Sequence, residues 1–363
     1  MFFRVIGFQE SLSDIETVIK KSATAPADPN LIPIQWRLHV PDNTYARWKN
    51  SLLPGLFLTL VASLTVQAAD LVVGDQSYSA RTVMEAAGVL NDLPYELEWK
   101  QFTAGSPVAE ALNVGSLDIG LLGDSPALFM GALGAPIKVI GVSRQNLDGV
   151  AIVVRKDSSI KSVADLAGKK VAIWKGSFSQ QLMLTALDKA GVARDAVDYR
   201  YLSALDSSHA LDGGSVDAIA TWEPYVTQQE RQGARVIVTA KGLIPAQSFI
   251  VANDKAIKNK RARINDFLQR LQAARDWSVR DPKNSEAYAN AWAALTRADA
   301  DVARRWFSRS QTVVVPITPD VIAGAQQTID FFNSAGLTKS YPAASVFDES
   351  FNSALELQEQ ASR

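Results

Sequence analysis

One local pattern, repeated in close succession, constrains this chain more than any other. An apolar stretch ends, a Gly/Ser turn follows, and a helical pattern opens at Ser-Pro, first at Ala104-Gly105-Ser106-Pro107 and again at Gly123-Asp124-Ser125-Pro126. Ser is a good helix N-cap because its hydroxyl accepts a bond from an orphan amide of the first turn. Pro suits the next position, where its φ is already helical and its missing N–H had no partner anyway. Two helix starts at the carboxyl ends of two strands would aim amide donors and positive dipole ends at one crevice, an arrangement suited to a small anion.

The chain around this pattern alternates apolar strand-like runs with helical spacings. Leu71–Val73, Leu97–Phe102, Leu117–Leu122, Ile137–Val142 and Val150–Val154 read as strands, and Arg81–Leu90 and Pro107–Val114 as helices. The pattern restarts at Arg155, with strands at Lys170–Trp174, Val197–Leu202, Ser215–Thr221, Arg235–Thr239 and Ser248–Ala252. Such alternation argues for an α/β fold with largely parallel sheets. Gly115-Ser116-Leu117-Asp118 and Gly214-Ser215-Val216-Asp217 are alike, a weak internal repeat consistent with two similar lobes. From Asn253 onward the chain is mostly charged, Ala-rich helix, whose charge runs read as solvated faces without a functional assignment.

Composition excludes several kinds of chemistry. The 363 residues carry a formal net charge of -1, without the basic excess typical of nucleic-acid binding. With no Cys, disulfides, thiolate metal sites and Cys nucleophiles are ruled out. Two His, one of them in the N-terminal stretch, leave almost nothing for a His-built metal site or a Ser/His/Asp triad. No catalytic residue, metal or cofactor is expected.

The N-terminal stretch reads as a targeting segment. Arg47-Trp48-Lys49 precedes a short apolar run, Leu52 to Val66, and then Gln67-Ala68-Ala69-Asp70. A basic region, an apolar region too short to span a bilayer and a small-residue cleavage site describe an export signal over 47–69, cleaved near Ala68-Ala69. Residues 1–46 show no core pattern and are expected to be an extension or an upstream misassigned start. A cleaved, Cys-free chain without a lipidation Cys points to the periplasm.

The strand-to-helix device has four candidate positions: Thr103 to Ser106, Gly123 to Ser125, Gly176 to Ser179 and Trp222 to Pro224. Gln76 and Arg144 stand at two further strand ends. The candidate ligand-binding residues are Gln76, Thr103, Gly105, Ser106, Gly123, Asp124, Ser125, Arg144, Gly176, Ser177, Phe178, Trp222 and Glu223. An oxyanion offers only acceptors, so it calls for amide, hydroxyl and guanidinium donors. Phe178 and Trp222 suit an organic tail. Asp124 and Glu223 are wrong for an anion and read as helix caps or as partners for a positive group on the ligand. Singly, each residue is an ordinary cap, ion-pair or core residue; the coincidence of several is what points to a ligand.

These residues also carry a resemblance. Glu98 to Pro107 (EWKQFTAGSP), Ala111 to Gly120 (ALNVGSLDIG), Gly123 to Pro126 (GDSP), Lys161 to Ala172 (KSVADLAGKKVA), Lys175 to Ser177 (KGS), Ser215 to Ala218 (SVDA) and Trp222 to Pro224 (WEP) resemble, in the same order, the periplasmic solute-binding proteins of ABC importers for aliphatic sulfonates, taurine and nitrate. The alkanesulfonate branch is the most similar, and the likeness runs from about Leu71 to Ser334.

The resemblance implies a type II two-lobed fold, with a ligand cleft between two mixed-sheet domains joined by two crossovers. Lobe 1 is expected over 70–154 and again over 249–363, and lobe 2 over 155–248. Hinges are expected near Val154–Arg155 and Phe249–Ala252. Thr103, Ser106, Asp124, Ser125, Ser177, Trp222 and Glu223 match motif positions that line the family's cleft. Where the family usually has Gly-Tyr-Gln after the first strand, this chain has Gly74-Asp75-Gln76. The implied partners are a small organic anion and a cognate permease–ATPase pair, with the binding protein a monomer. Alternatives are a binder of taurine, nitrate, sulfate esters or a heterocycle. An enzyme resembling thiamine-pyrimidine synthases, which depend on Cys and His, is the remaining alternative; the absence of Cys and the single His beyond the N-terminal stretch argue strongly against it.

Overall fold

A computed structural model of the chain describes residues 69–245 and 247–355. The extension expected over 1–46, and all but Ala69 of the export signal expected over 47–69, therefore lie outside the described residues. Among the described residues eleven strands form two mixed sheets. The first has the order β11-β4-β10-β3-β1-β2, with β1 Leu71–Gln76, β2 Leu97–Phe102, β3 Ile119–Gly123, β4 Ile137–Arg144, β10 Gln247–Asn253 and β11 Val313–Val315. The second has the order β7-β6-β8-β5-β9, with β5 Val150–Val154, β6 Lys170–Ile173, β7 Asp198–Tyr201, β8 Ala218–Trp222 and β9 Arg235–Thr239. In each sheet three parallel strands (β2-β1-β3 and β7-β6-β8) are followed by an antiparallel strand that has just crossed over from the other lobe: β10 beside β3, β5 beside β8.

This exchange moves the crossovers from their expected places. The chain changes sheet within 145–149 and again after Thr239, before β10 opens at Gln247. Val154 instead ends β5 deep in the second lobe, and Phe249–Ala252 is the buried middle of β10, bonded on both edges. A fully apolar strand reads the same whichever sheet takes it, so the sequence pattern could not place the change of lobe.

Among the described residues ten α-helices surround the sheets: α1 Ser79–Ala86, α2 Gly105–Asn113, α3 Asp124–Ala132, α4 Phe178–Lys189, α5 Ala204–Asp212, α6 Tyr225–Arg231, α7 Asp254–Arg280, α8 Pro282–Thr296, α9 Ala300–Ser310 and α10 Pro319–Ser334. None of the described helices is long and apolar enough to cross a membrane. Helix α2 lies close over β1 and β3 because Gly120 has no side chain; a Cβ there would meet Val108 Cγ1 at 2.5 Å and Leu112 Cδ1 at 2.8 Å. Val108 and Leu112 are fully buried by this approach, each stabilising the lobe by about 2 kcal/mol.

The internal repeat has a structural meaning. Asp118 accepts the Val72 amide through Oδ2 at 2.8 Å while its own amide donates to Val72 O at 2.9 Å. Asp217 does the same with Lys170, at 2.8 Å in both directions. In each lobe an Asp thus ties the start of the third parallel strand to the start of its neighbour. The preceding Gly115 and Gly214 turn the chain off a helix at positive φ, 73° and 70°.

Candidate ligand-binding cleft

A cleft of about 600 Å³ lies between the two lobes. Its first-lobe wall is made by strand ends and the turns after them: Gln76 from β1, Gly105 and Ser106 at the start of α2, Gly123 from β3, and Ser143 from β4. The second-lobe wall is Trp174, Ser177, Phe178, Trp222 and Glu223. Gln76, Gly105, Ser106, Gly123, Ser177, Phe178, Trp222 and Glu223 are therefore brought together, as the sequence proposes. The lobes touch directly here: a Cβ on Gly123 would meet the Phe178 ring at 3.1 Å.

The other candidates lie elsewhere. Thr103 is exposed and outside the lining. Arg144 follows Ser143 on β4, and alternate strand residues face opposite sides; Ser143 takes the cleft face while Arg144 turns outward to pair with Asp320 at the start of α10. Gly176 holds the turn before α4 at φ 69°, its amide donating to Gln180 Oε1 at 2.7 Å. Asp124 and Ser125 are both fully buried beneath the cleft. The Asp124 carboxylate accepts the Ser125 amide and hydroxyl and the Thr328 hydroxyl, and Thr328 Oγ1 in turn accepts Gln181 Nε2 at 3.2 Å. With no cation beside it, burial pushes the Asp124 carboxyl up to about 7, against the pull of those three bonds.

The helix starts differ from expectation in a way that matters for charge. α2 and α3 begin before Ser-Pro: Ala104 and Gly123 are the extended N-cap residues, and Ser106-Pro107 and Ser125-Pro126 fall inside the first turn, where a missing N–H is still tolerated. Side chains already take most of the amides that were to serve an anion. Asp75 accepts from Gln76, Ala80 and Arg81. Asp124 takes Ser125, Ser177 takes Ser179 at 3.2 Å, and Glu223 takes Thr227 at 3.1 Å. Of the candidate cleft-side helix starts among the described residues, α2 alone lacks such a side-chain bond, leaving the Gly105 and Ser106 amides at the cleft wall as open donors.

Glu223 is also accounted for within the protein. Its carboxylate accepts the Thr227 hydroxyl at 2.9 Å and pairs with Arg309 Nη1 at 3.0 Å, and Arg309 continues to Glu230 at 2.6 Å. Burial raises the Glu223 pKa, while Arg309 and the Thr227 bonds pull it down. Gly149 makes room for the carboxylate stem, since a Cβ there would meet Glu223 Cγ at 2.7 Å. The Asp75 pKa is raised chiefly by burial, opposed by its amide bonds and by Arg275.

The helical C-terminal third, left without a role by sequence reasoning, contributes much of the wall. Arg275 from α7, Tyr288 from α8, and Trp306 and Phe307 from α9 line the cleft, with Tyr288 and Phe307 stacked 3.6 Å apart. Gln76 is oriented by donating Nε2 to Leu121 O at 2.9 Å. The resulting enclosure has aromatic walls, hydroxyl and amide donors, and a buried guanidinium. Its interior carboxylates, Asp75 and Glu223, are both engaged; Asp281 and Glu286, the other acidic lining residues, are exposed to solvent.

Two lobes that exchange strands through two crossovers and enclose such a cleft define a solute-binding protein of the two-lobed periplasmic type. The family model described as NMT1/THI5 like matches residues 96–285. A protein of Escherichia coli K12 named as an aliphatic sulfonates-binding protein is 35% identical over 269 residues, covering 72% of this chain and 82% of that protein. The crystal structure of the periplasmic aliphatic sulphonate binding protein SsuA from Escherichia coli superposes with a TM-score of 0.69 at 32% identity, over 76% of this chain and 91% of that one. The alkanesulfonate-binding protein SsuA from Xanthomonas axonopodis pv. citri bound to MOPS gives 0.71 at 28% identity, over 77% and 97%. The chain belongs to the NMT1/THI5-like family, in the group of ABC-importer substrate-binding proteins that includes the aliphatic sulfonate binders.

Proposed function

We propose that this protein captures aliphatic sulfonates, or closely related organosulfur anions, in the periplasm and delivers them as a monomer to a membrane permease–ATPase pair. The observation that carries this reading is the pairing, in one enclosure, of aromatic walls with hydrogen-bond donors while its interior carboxylates are already engaged. A sulfonate stays ionised at any physiological pH and wants donors on its head and apolar contact on its tail. At about 600 Å³ the cleft is of ordinary small-molecule size, far larger than nitrate needs. Taurine is disfavoured because its ammonium finds no free interior carboxylate: Glu223 is held by Arg309, and Asp124 is outside the lining.

Binding needs no covalent chemistry. The ligand favours the closed arrangement by touching both walls at once, and the lobes move about the two crossovers, 145–149 and the stretch between β9 and β10. Export rests on the basic-apolar-small pattern over 47–69, cleaved near Ala68-Ala69.

Thermal-shift titration of the mature protein against alkanesulfonates of increasing chain length, sulfate esters, nitrate and taurine tests the reading. True ligands stabilise by mass action, by about 2.7 kcal/mol at a hundred times Kd. We expect alkanesulfonates to raise Tm, and taurine to do so less than ethanesulfonate, its analogue without the amine. A panel in which no organosulfur anion shifts Tm would remove this function.

A further inference from the structure

Arg275 carries the most unusual charge in the cleft. It is 6% exposed, on a helix whose charges read in sequence as solvated. Its Nη1 donates to the Tyr288 hydroxyl at 3.2 Å and its Nη2 to Ser79 Oγ at 3.0 Å, while Nε has no partner. Of the five N–H groups of a guanidinium, only two are therefore engaged. No carboxylate among the described residues comes within 4.0 Å of it. Asp75 is the acid whose field it feels, but that carboxylate is turned to the Gln76 amide at the end of β1 and to the Ala80 and Arg81 amides at the start of α1. A buried cation without an ion-pair partner is costly, and the cost is relieved when an anion supplies the missing charge.

Tyr288 and Ser79 fix the guanidinium in place. The Tyr288 hydroxyl donates to Ser79 O at 2.9 Å and lies 3.0 Å from Ser79 Oγ, so two neutral groups brace Arg275 without neutralising it. All three residues line the cleft. Asp75 takes the Ala80 and Arg81 amides at the start of α1, and beside them the first-lobe wall presents a guanidinium.

We propose that Arg275, braced by Ser79 and Tyr288, is the charge partner of the ligand's anionic head and the principal determinant of anion over neutral selectivity. This rests on the organosulfur reading of the same cleft. A planar guanidinium can meet two oxygens of a sulfonate with two parallel N–H bonds held in a fixed fork, a geometry that the point-like Lys ammonium does not preset. The braced side chain loses little further freedom on binding, so the contact is preorganised.

Hexane-1-sulfonate and the neutral hexane-1-sulfonamide, titrated calorimetrically into the wild type, Arg275→Lys, Arg275→Gln and the double variant Asp75→Asn/Arg275→Gln, test the proposal. The double variant removes both buried charges and guards against a misfolded single variant; all are checked by circular dichroism. We expect Arg275→Gln and the double variant to bind the sulfonate on the order of 100-fold more weakly. Arg275→Lys should fall between, and the ratio of sulfonate to sulfonamide affinity should collapse toward one when the guanidinium is lost. A purely structural role for Arg275 would weaken both ligands alike and leave that ratio unchanged, overturning the proposal while the sulfonate reading stands. A folded double variant that holds sulfonate within threefold of wild type would overturn it equally. Failure of the wild type to bind hexane-1-sulfonate or any other sulfonate would overturn both.

Discussion

Replacing Asp124 by Asn should make the protein more stable at alkaline pH and leave it nearly unchanged in acid. Asp124 is fully buried and has no cation against it; its partners are Ser125 and Thr328. Burial lifts its pKa from 3.8 to about 7. In the unfolded chain the group ionises at its ordinary pKa; in the fold it holds its proton some three units longer. The contribution to stability is thus complete below pH 3.8 and is lost as pH rises to 7, above which the charge is buried outright. At about 1.4 kcal/mol per unit, the loss across that window is on the order of 4 kcal/mol.

Asn is isosteric, accepts the same Ser125 amide and never ionises. Urea unfolding at constant ionic strength at pH 5, 6, 7 and 8 should give an Asn-minus-Asp stability difference that grows through the series and levels off above pH 7. Comparing the two proteins at each pH cancels the titration of every other carboxylate. A difference that stays flat from pH 5 to 8 would refute the reasoning, because it would mean that Asp124 is ionised throughout. Sulfonate affinity should be unchanged in the variant, since Asp124 lies outside the cleft lining.

Two further outcomes are expected. Arg309→Met should destabilise the fold by about 3 kcal/mol, because it strands the buried Glu223 without its cation, whereas Glu230 keeps Arg305 at 3.2 Å; adding Glu223→Gln should recover part of the loss in a double-mutant cycle read by urea unfolding. N-terminal sequencing of the exported protein should begin at Ala69 or Asp70, and recovery of Met1 on the bulk of it would remove the proposed cleavage.

The helix starts show where local reading succeeds and where it stops. Gly105-Ser106 and Ser177-Phe178 reach the cleft as anticipated because a strand end followed by a helix start is a local event, decided within a few residues. Asp124 and Arg144 were equally legible as strand-end residues, yet one caps its own helix below the surface and the other faces outward. Which way such a side chain turns depends on its neighbours across the sheet. The anion receptor anticipated from several helix amides contains one uncapped helix start and one buried guanidinium, since Asp75, Asp124, Ser177 and Glu223 occupy the other starts themselves.

Periodicity alone was enough to determine the α/β class; the likeness of the stretches ending in Asp118 and Asp217 was consistent with two similar lobes, and the two-lobed fold itself came from the family resemblance. The class resides in residues close in sequence, and propensity and alternation report it directly. The place where the chain changes lobe, and the entry of Arg275, Tyr288 and Trp306 into the cleft, were decided only by tertiary packing. Ser79 meets Arg275 across 196 positions of sequence. On a helix an arginine bound for water and one bound for a ligand have the same spacing and the same neighbours. What separates them is the face the folded sheets leave open, and that comes into being only when both lobes are assembled.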